Sequence, residues 1–232
     1  MPEQSPCELT ILMPCLNEAE TLVTCVEKAL GYLERSGVVG EVLIADNGST
    51  DGSQEVARAA GAVVVQHPIN LGQGAALQTG IEFALQDPDM DTIVTFDADG
   101  QHRVPDAFDM VQRIRSGEAE VVLGSRFLDD RTKMKPLKRL VLKTAALQIR
   151  MATGLELSDA HNGLRVLDRK VASSIHLTQN RMAHASELVY QLARLEVRYK
   201  EHPVEIIYTE YSKAKGQSLL NSVNILAELL FK

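Results

Sequence analysis

Thr92-Ile-Val-Thr-Phe-Asp97-Ala-Asp99-Gly-Gln101-His102 runs from a short apolar stretch into an acidic turn. Thr92–Phe96 is β-rich and does not alternate apolar with polar, which predicts a strand covered on both faces. Asp97 and Asp99, two residues apart just past its end, can turn their carboxylates to one side. There they repel unless a cation lies between them, and hard cations such as Mg²⁺ or Mn²⁺ take carboxylate and phosphate oxygens together. Gln101 offers a neutral oxygen two residues on, and His102 is either a further ligand or a turn histidine. The plain alternative is a solvated acidic turn.

The same kind of strand recurs on either side, separated by helical patterns. Strands are predicted over Leu9–Pro14, Val42–Ala45, Ala62–Val65 and Glu120–Leu123, and helices over Ala19–Ser36, Gln54–Ala60, Ala75–Leu85 and Pro105–Ser116. In Ala19–Ser36 the apolar residues Leu22, Val23, Val26, Ala29, Leu30 and Leu33 keep helical spacing, and Gly37 ends it. This alternation predicts an α/β domain with a mainly parallel central sheet and helices on both faces. After Ser125 the rhythm breaks. A helix is expected over Leu137–Thr153, then a turn-rich stretch, a helix over Ala185–Leu195, a strand over Val204–Thr209 and an amphipathic helix over Leu219–Leu230. With no repeat and no linker, 1–232 reads as one domain, with halves at about 9–126 and 127–232.

Ligands of such sheets bind outside the carboxyl ends of the strands. Four polar loops fall there: Pro14-Cys-Leu-Asn17-Glu18, Asp46-Asn-Gly-Ser-Thr-Asp51-Gly, the Asp97–His102 turn and Gly124-Ser-Arg126. Singly, Asn17 and Asp51 read as turn or N-cap residues. A fifth segment, Asn70-Leu-Gly72-Gln-Gly74, resembles a phosphate-cradling loop but lacks the Walker lysine and the dinucleotide spacing. It would serve close backbone approach to a base or ribose, or be a tight turn.

Composition bounds the function. Of 232 residues, 24 are basic and 31 acidic, a net charge of −7, which excludes a general nucleic-acid binder. Trp is absent and aromatics are 4%, so rows of stacking platforms are not expected. Cys7, Cys15 and Cys25 lack metal-ligand spacing and suit a reduced, cytoplasmic protein. The longest uncharged stretch, 59–81, holds Gln66, His67, Pro68 and Asn70 and cannot cross a bilayer as a helix. No secretory leader is read at the start. Charge is unevenly spread. Between Arg131 and Arg150 stand Arg131, Lys133, Lys135, Lys138, Arg139, Lys143 and Arg150, with no acidic residue.

Taken in order, Pro14-x-x-Asn17-Glu18, Asp46-x-Gly-Ser-Thr-Asp51-Gly, Asn70-x-Gly72-x-Gly74, Asp97-x-Asp99-x-Gln101-His102 and Gly124-Ser-Arg126 resemble the family 2 glycosyltransferases. The likeness is greatest to the polyprenol-phosphate mannosyl- and glucosyltransferase branch, whose Asp-x-x-Ser-Gly-Phe-Arg appears here as Asp159-Ala-His-Asn-Gly163-Leu-Arg165. The resemblance implies a GT-A fold and inverting, metal-dependent transfer from a nucleotide sugar. It assigns Asp46 to the base, Asp97 to the ribose or metal region, Asp99 and Gln101 to Mg²⁺ or Mn²⁺, and Arg126 to a phosphate. It also assigns Pro14, Asn17, Glu18, Gly72, Gly74 and Arg165 to the donor site. Glu187 stands where relatives carry a base, with Asp159 the other candidate. The plain readings are a helix-start acid and a turn aspartate. Leu16, Asn47 and Gln73 depart from the family pattern, and the last leaves a UDP- or GDP-sugar open.

The basic segment falls where that branch carries its acceptor loop and interfacial helices. Arg131, Lys133, Lys135, Lys138 and Arg139, with Lys213 further on, are the expected acceptor or membrane contacts. Beside them Leu137, Leu140, Val141, Ala145 and Leu147 form an apolar face. A basic amphipathic helix of this kind suits an anionic surface, here the cytoplasmic face of a membrane carrying a lipid-phosphate or other membrane-associated acceptor. The plain alternative is a solvated helix packed on the core. Leu219–Leu230 is a second interfacial helix, a homo-oligomer contact or core. Two other functions compete: an Asp-x-Asp phosphotransferase or phosphatase, whose nucleophile would belong on the first strand, and a non-catalytic binding protein of the same fold.

Overall fold

A computed structural model of the chain describes residues 7–208. In chain order the elements are β1 (Leu9–Cys15), α1 (Ala19–Ser36), β2 (Gly40–Asp46), α2 (Ser53–Ala59), β3 (Val63–Gln66), α3 (Gln73–Ala84) and β4 (Thr92–Thr95). There follow α4 (Val104–Arg115), β5 (Val121–Ser125), α5 (Pro136–Thr153), β6 (Arg165–Asp168), α6 (Arg169–Ser174), α7 (His184–Arg194) and β7 (Tyr199–Pro203). The expected Leu219–Leu230 helix and Lys213 lie outside the described residues.

The strands form one sheet in the order β3-β2-β1-β4-β6-β5-β7. All pair parallel except β6, which runs antiparallel to both β4 and β5. The unbroken apolar strands have a direct cause. In β1, Leu9, Ile11 and Met13 enter one core layer and Leu12 the other; in β2, Val42 and Ile44 part from Leu43 and Ala45 in the same way. Successive side chains point to opposite faces, so a strand between two helical layers must be apolar throughout. Helix α1 buries Leu22, Cys25, Val26, Ala29 and Leu33, and ends where Gly37 adopts φ 65°, a left-handed cap that glycine takes without steric cost.

Two expectations fail. The turn-rich stretch contains β6, four residues that sequence periodicity cannot reveal because its ends are Arg165 and Asp168. Their strand state comes from long-range pairing, Thr95 with Arg165 and Val94 with Val166. The strand expected over Val204–Thr209 lies earlier, at the polar Tyr199–Pro203. As the last strand of the sheet β7 needs no apolar run, whereas Val204 and Ile206 are apolar because they bury beside it without strand pairing.

Candidate active site

The loops after β1 and β2 are laced together. Asn17 sits at φ 55°, a left-handed conformation that asparagine tolerates. Its side-chain oxygen accepts from Thr50 N at 2.9 Å, and its own N–H donates to Ser49 Oγ at 2.9 Å. Asp46 ends β2 buried, its Oδ2 accepting from Gly48 N and Ser49 N at 3.1 Å and from Gln54 Nε2 at 2.7 Å. Oδ1 of the same carboxylate is buried without a partner.

Asn47 suspends the glycine loop. Its amide donates to Asn70 Oδ1 at 2.8 Å, and its oxygen accepts from Leu71 N at 2.9 Å. The glycines serve a packing need. A Cβ on Gly72 would lie 2.1 Å from the Asn180 carbonyl, and one on Gly74 2.0 Å from that of Gln179. The loop is pressed against the segment ahead of α7, and Gly74 N donates to Asn180 O at 2.8 Å.

Asp97 and Asp99 follow β4 and line a cleft of about 710 Å³, a size suited to a nucleotide-scale ligand. Pro14, Glu18, Asn47, Asn70 and Gly72 share its wall, as do Cys15, Gln73, Arg181 and Met182. Asp97 is held by His102 Nε2 at 3.0 Å and Gln73 Nε2 at 3.2 Å. Its Oδ2 lies so close to Gly163 that a Cβ there would meet it at 2.3 Å. Burial pushes the Asp97 carboxyl up, but the His102 hydrogen bond and the charges of His102, Arg165 and His184 outweigh it and hold Asp97 below the usual range. Asp99 goes the other way: burial and the neighbouring Asp97 charge raise it, although Gln101 donates to it through both its backbone and its side-chain amide. Two carboxylates two residues apart on one cleft wall suit a divalent cation with few protein ligands and phosphate oxygens for the rest. Among the described residues no group of three or more carboxylate, imidazole or thiol side chains forms a metal cage by itself.

Other expected site residues stand apart from this cleft's wall. Arg126, just after β5, is closed on Asp159 in a two-pronged ion pair, Nε–Oδ2 2.5 Å and Nη2–Oδ1 2.7 Å. Asp159 is buried and also accepts from the backbone N–H of Arg126 and His161. Arg165 is buried on β6 between Asp97 and Asp159; burial pulls its guanidinium down to about 10 against the pull of those two charges. Glu187, near the start of α7, turns its carboxylate to Thr178 and Gln179. Both base candidates are thus fully engaged within the protein.

The basic segment divides. Arg131, expected at the acceptor, is tied down by Asp129 at 2.6 Å, Asp106 at 3.1 Å and the Pro203 carbonyl at 2.6 Å. Lys138 lies 4.7 Å from the Tyr208 ring centre, while Arg139 and Lys143 stand 5.7 and 5.8 Å from that of Phe127, the residue after Arg126. Burial and the nearby Arg126 charge lower Lys138 to about 8. Lys133 and Lys135 are exposed. On α5 only Ala145, Ala146 and Ile149 are fully buried. Leu137, Leu140, Leu147 and Met151 remain 56, 63, 57 and 81% exposed, in a stripe flanked by basic residues. Ala145, expected on that stripe, faces the core.

The chain matches Glycosyl transferase family 2 over residues 10–175, well over half its length. It belongs to that family. An uncharacterized protein of Methanocaldococcus jannaschii is 31% identical over 97% of this chain and 92% of its own length. The low-salt glycan biosynthesis hexosyltransferase of Haloferax volcanii is 31% identical over 92% of this chain, which spans 50% of it. The UDP-N-acetylglucosamine–dolichyl-phosphate N-acetylglucosaminyltransferase of Methanococcus voltae is 31% identical over 72% of this chain and 68% of its own. Among solved structures, glucosyl-3-phosphoglycerate synthase of Mycobacterium tuberculosis, in complex with Mn²⁺ and uridine-diphosphate-glucose, superposes with a TM-score of 0.71 at 21% identity. It covers 97% of this chain and 78% of that one, a likeness of fold. This family 2 glycosyltransferase therefore has the GT-A architecture, which leaves the Asp-x-Asp phosphatase alternative without support.

Proposed function

We propose that this glycosyltransferase transfers a sugar, with inversion, from a UDP- or GDP-sugar to the phosphate of a polyprenyl phosphate at a membrane surface. The observation that carries the reading is the Asp97–Asp99 pair lining a nucleotide-sized cleft in a family 2 chain. Relatives named for a dolichyl-phosphate and an undecaprenyl-phosphate acceptor support the lipid. An oxygen of the acceptor phosphate attacks the anomeric carbon from the face opposite the diphosphate. The bond from that carbon to the diphosphate oxygen breaks, and the nucleoside diphosphate leaves with the electron pair. An acceptor that is already ionised needs no general base, which agrees with Glu187 and Asp159 being occupied elsewhere.

Asp99, with Asp97, would hold Mg²⁺ or Mn²⁺, and that ion supplies positive charge to the leaving diphosphate. The protein's own contribution is positional. Asn47 and Asn70 set the glycine loop over the donor, and His102 and Gln73 hold Asp97. Beyond the cleft, Asp159 fixes Arg126 near the basic residues around Phe127, where the acceptor phosphate would bind. The test is a melting-temperature panel of nucleoside diphosphates and nucleotide sugars with either metal. A ligand at a hundred times its Kd adds about 2.7 kcal/mol of stability, so the true donor should raise the melting temperature by several degrees. If no member moves it, the donor assignment is wrong.

Among the described residues no helix is long and apolar enough to cross a membrane. We propose that α5 instead lies on an anionic surface through its Leu137, Leu140, Leu147 and Met151 stripe. Each basic residue near such a surface contributes about 1 kcal/mol. The protein should sediment with vesicles rich in anionic lipid and stay in solution with neutral ones. Salt should weaken the attachment, and Leu140→Glu with Leu147→Glu should abolish it. Equal, negligible sedimentation with both vesicle types would remove membrane contact from the proposal.

A further inference from the structure

We propose that Arg181 is the cation this chain sets against the diphosphate of the sugar donor, delivered to the cleft by a strap, residues 176–182, that Glu187 anchors. The inference rests on the nucleotide-sugar reading above and adds to it a residue that no motif of the chain contains.

Charge on the cleft wall singles out Arg181. Glu18, Asp97 and Asp99 line it, and among the described residues Arg181 is the basic residue of its lining. The carboxylates of Asp97 and Asp99 offset a bound divalent cation, so the charge that grows on the departing diphosphate needs a further positive partner. Arginine is suited to that task because its planar fork meets phosphate oxygens in pairs. Three arginines elsewhere are committed: Arg126 to Asp159, Arg131 to Asp106 and Asp129, and Arg169 to the carbonyls of Leu85, Asp87 and Met90. The Arg181 guanidinium has no hydrogen-bond or ion-pair partner among the described residues.

A set of hydrogen bonds supports Arg181 from behind. Glu187 accepts from Thr178 N at 3.0 Å, Thr178 Oγ1 at 2.6 Å and Gln179 N at 2.9 Å. Gln78 Oε1 accepts from Leu177 N at 2.7 Å, and Gln191 exchanges two hydrogen bonds with the backbone of His176. Asn180 O takes Gly74 N, and the carbonyl of Arg181 accepts from His184 Nδ1 at 2.7 Å, which fixes the proton on that nitrogen. The missing side chains of Gly72 and Gly74 are what let the strap lie flat on the glycine loop. The backbone up to Arg181 is therefore pinned to α3 and α7 while its side chain is free to meet a ligand. Glu187 is a positioning residue in this arrangement. Burial pushes its carboxyl up, but the bonds from Thr178 and Gln179 outweigh that and hold it below the usual range, the protonation state an anchor requires at neutral pH.

The test measures binding of the nucleoside diphosphate and of the matching nucleoside, with Mn²⁺ and without acceptor, to the wild type, Arg181→Ala, Arg181→Lys and Glu187→Gln. Loss of a charge-assisted contact predicts a ten- to hundredfold weaker diphosphate for Arg181→Ala, roughly, with the nucleoside unchanged. Arg181→Lys should recover part of the loss. Glu187→Gln should weaken the diphosphate in the same direction and add little to Arg181→Ala, with its cost in donor KM more than in kcat. Diphosphate affinity within twofold of wild type in Arg181→Ala overturns the inference, as does an equal loss of nucleoside. Glu187→Gln that keeps diphosphate affinity but loses turnover and the acid limb of the pH–rate profile would make Glu187 the base and overturn the anchor. A wild type that binds no nucleoside diphosphate would instead remove the donor reading itself, and this inference with it.

Discussion

Asp99→Asn should lower turnover by about a hundred- to a thousandfold while the melting temperature holds or rises. The magnitude is that of removing one preorganised charge contact from a developing anion, roughly 3 to 4 kcal/mol of barrier. The stability half follows from the sign of the shift. Burial and the Asp97 charge raise the Asp99 pKa, so its ionised form is disfavoured in the folded protein. That penalty is present above the unfolded-state pKa and disappears as the pH falls below it. An asparagine keeps the shape, keeps an oxygen for Gln101 N and removes the repulsion. Turnover under saturating donor and a melting curve at neutral pH check both halves. Turnover within threefold of wild type would exclude Asp99 from catalysis.

The largest stability loss should come from Asp159→Ala, about 3 to 5 kcal/mol. The change leaves the buried Arg126 guanidinium without its counter-ion and with two of its hydrogen bonds broken. A cost of that size lowers the melting temperature by roughly 10 °C or more in a domain this large. Replacing both partners by apolar residues, Arg126→Met with Asp159→Leu, should return much of the stability, because no unpaired charge remains buried. It should not return activity if Arg126 meets a phosphate. Denaturant unfolding of the single and double variants separates the two effects. A loss below about 1 kcal/mol in Asp159→Ala would mean that Arg126 finds solvent or another partner.

The strands and helices up to Ser125 follow from periodicity, since each depends on residues close in the chain that share one environment. The polar loops on the sheet edge were legible for the same reason: each is a local run of turn-forming and acidic residues at a strand end. Beyond Ser125 the local signal misleads. Val204 and Ile206 look like strand residues but are buried coil, and Tyr199–Pro203 looks like loop but pairs with β5. Arg181 carries no sequence signal at all; it is one basic residue in a turn-rich stretch, and the fold puts it on the cleft wall.

The α/β alternation, the family motifs and the acidic pair of the cleft are written in neighbouring residues and are readable there. What the isolated acids and bases do depends on contacts between segments distant in the chain. Glu187 and Asp159 have the chemistry of a base, yet one holds a strap and the other holds Arg126. Arg131 sits in a basic run yet is bound to Asp106 and Asp129. A charged side chain takes its role from the partner that meets it in the fold. Glu187 meets Thr178 9 residues away in the chain, Arg131 meets Asp106 25 away, and Asp159 meets Arg126 33 away.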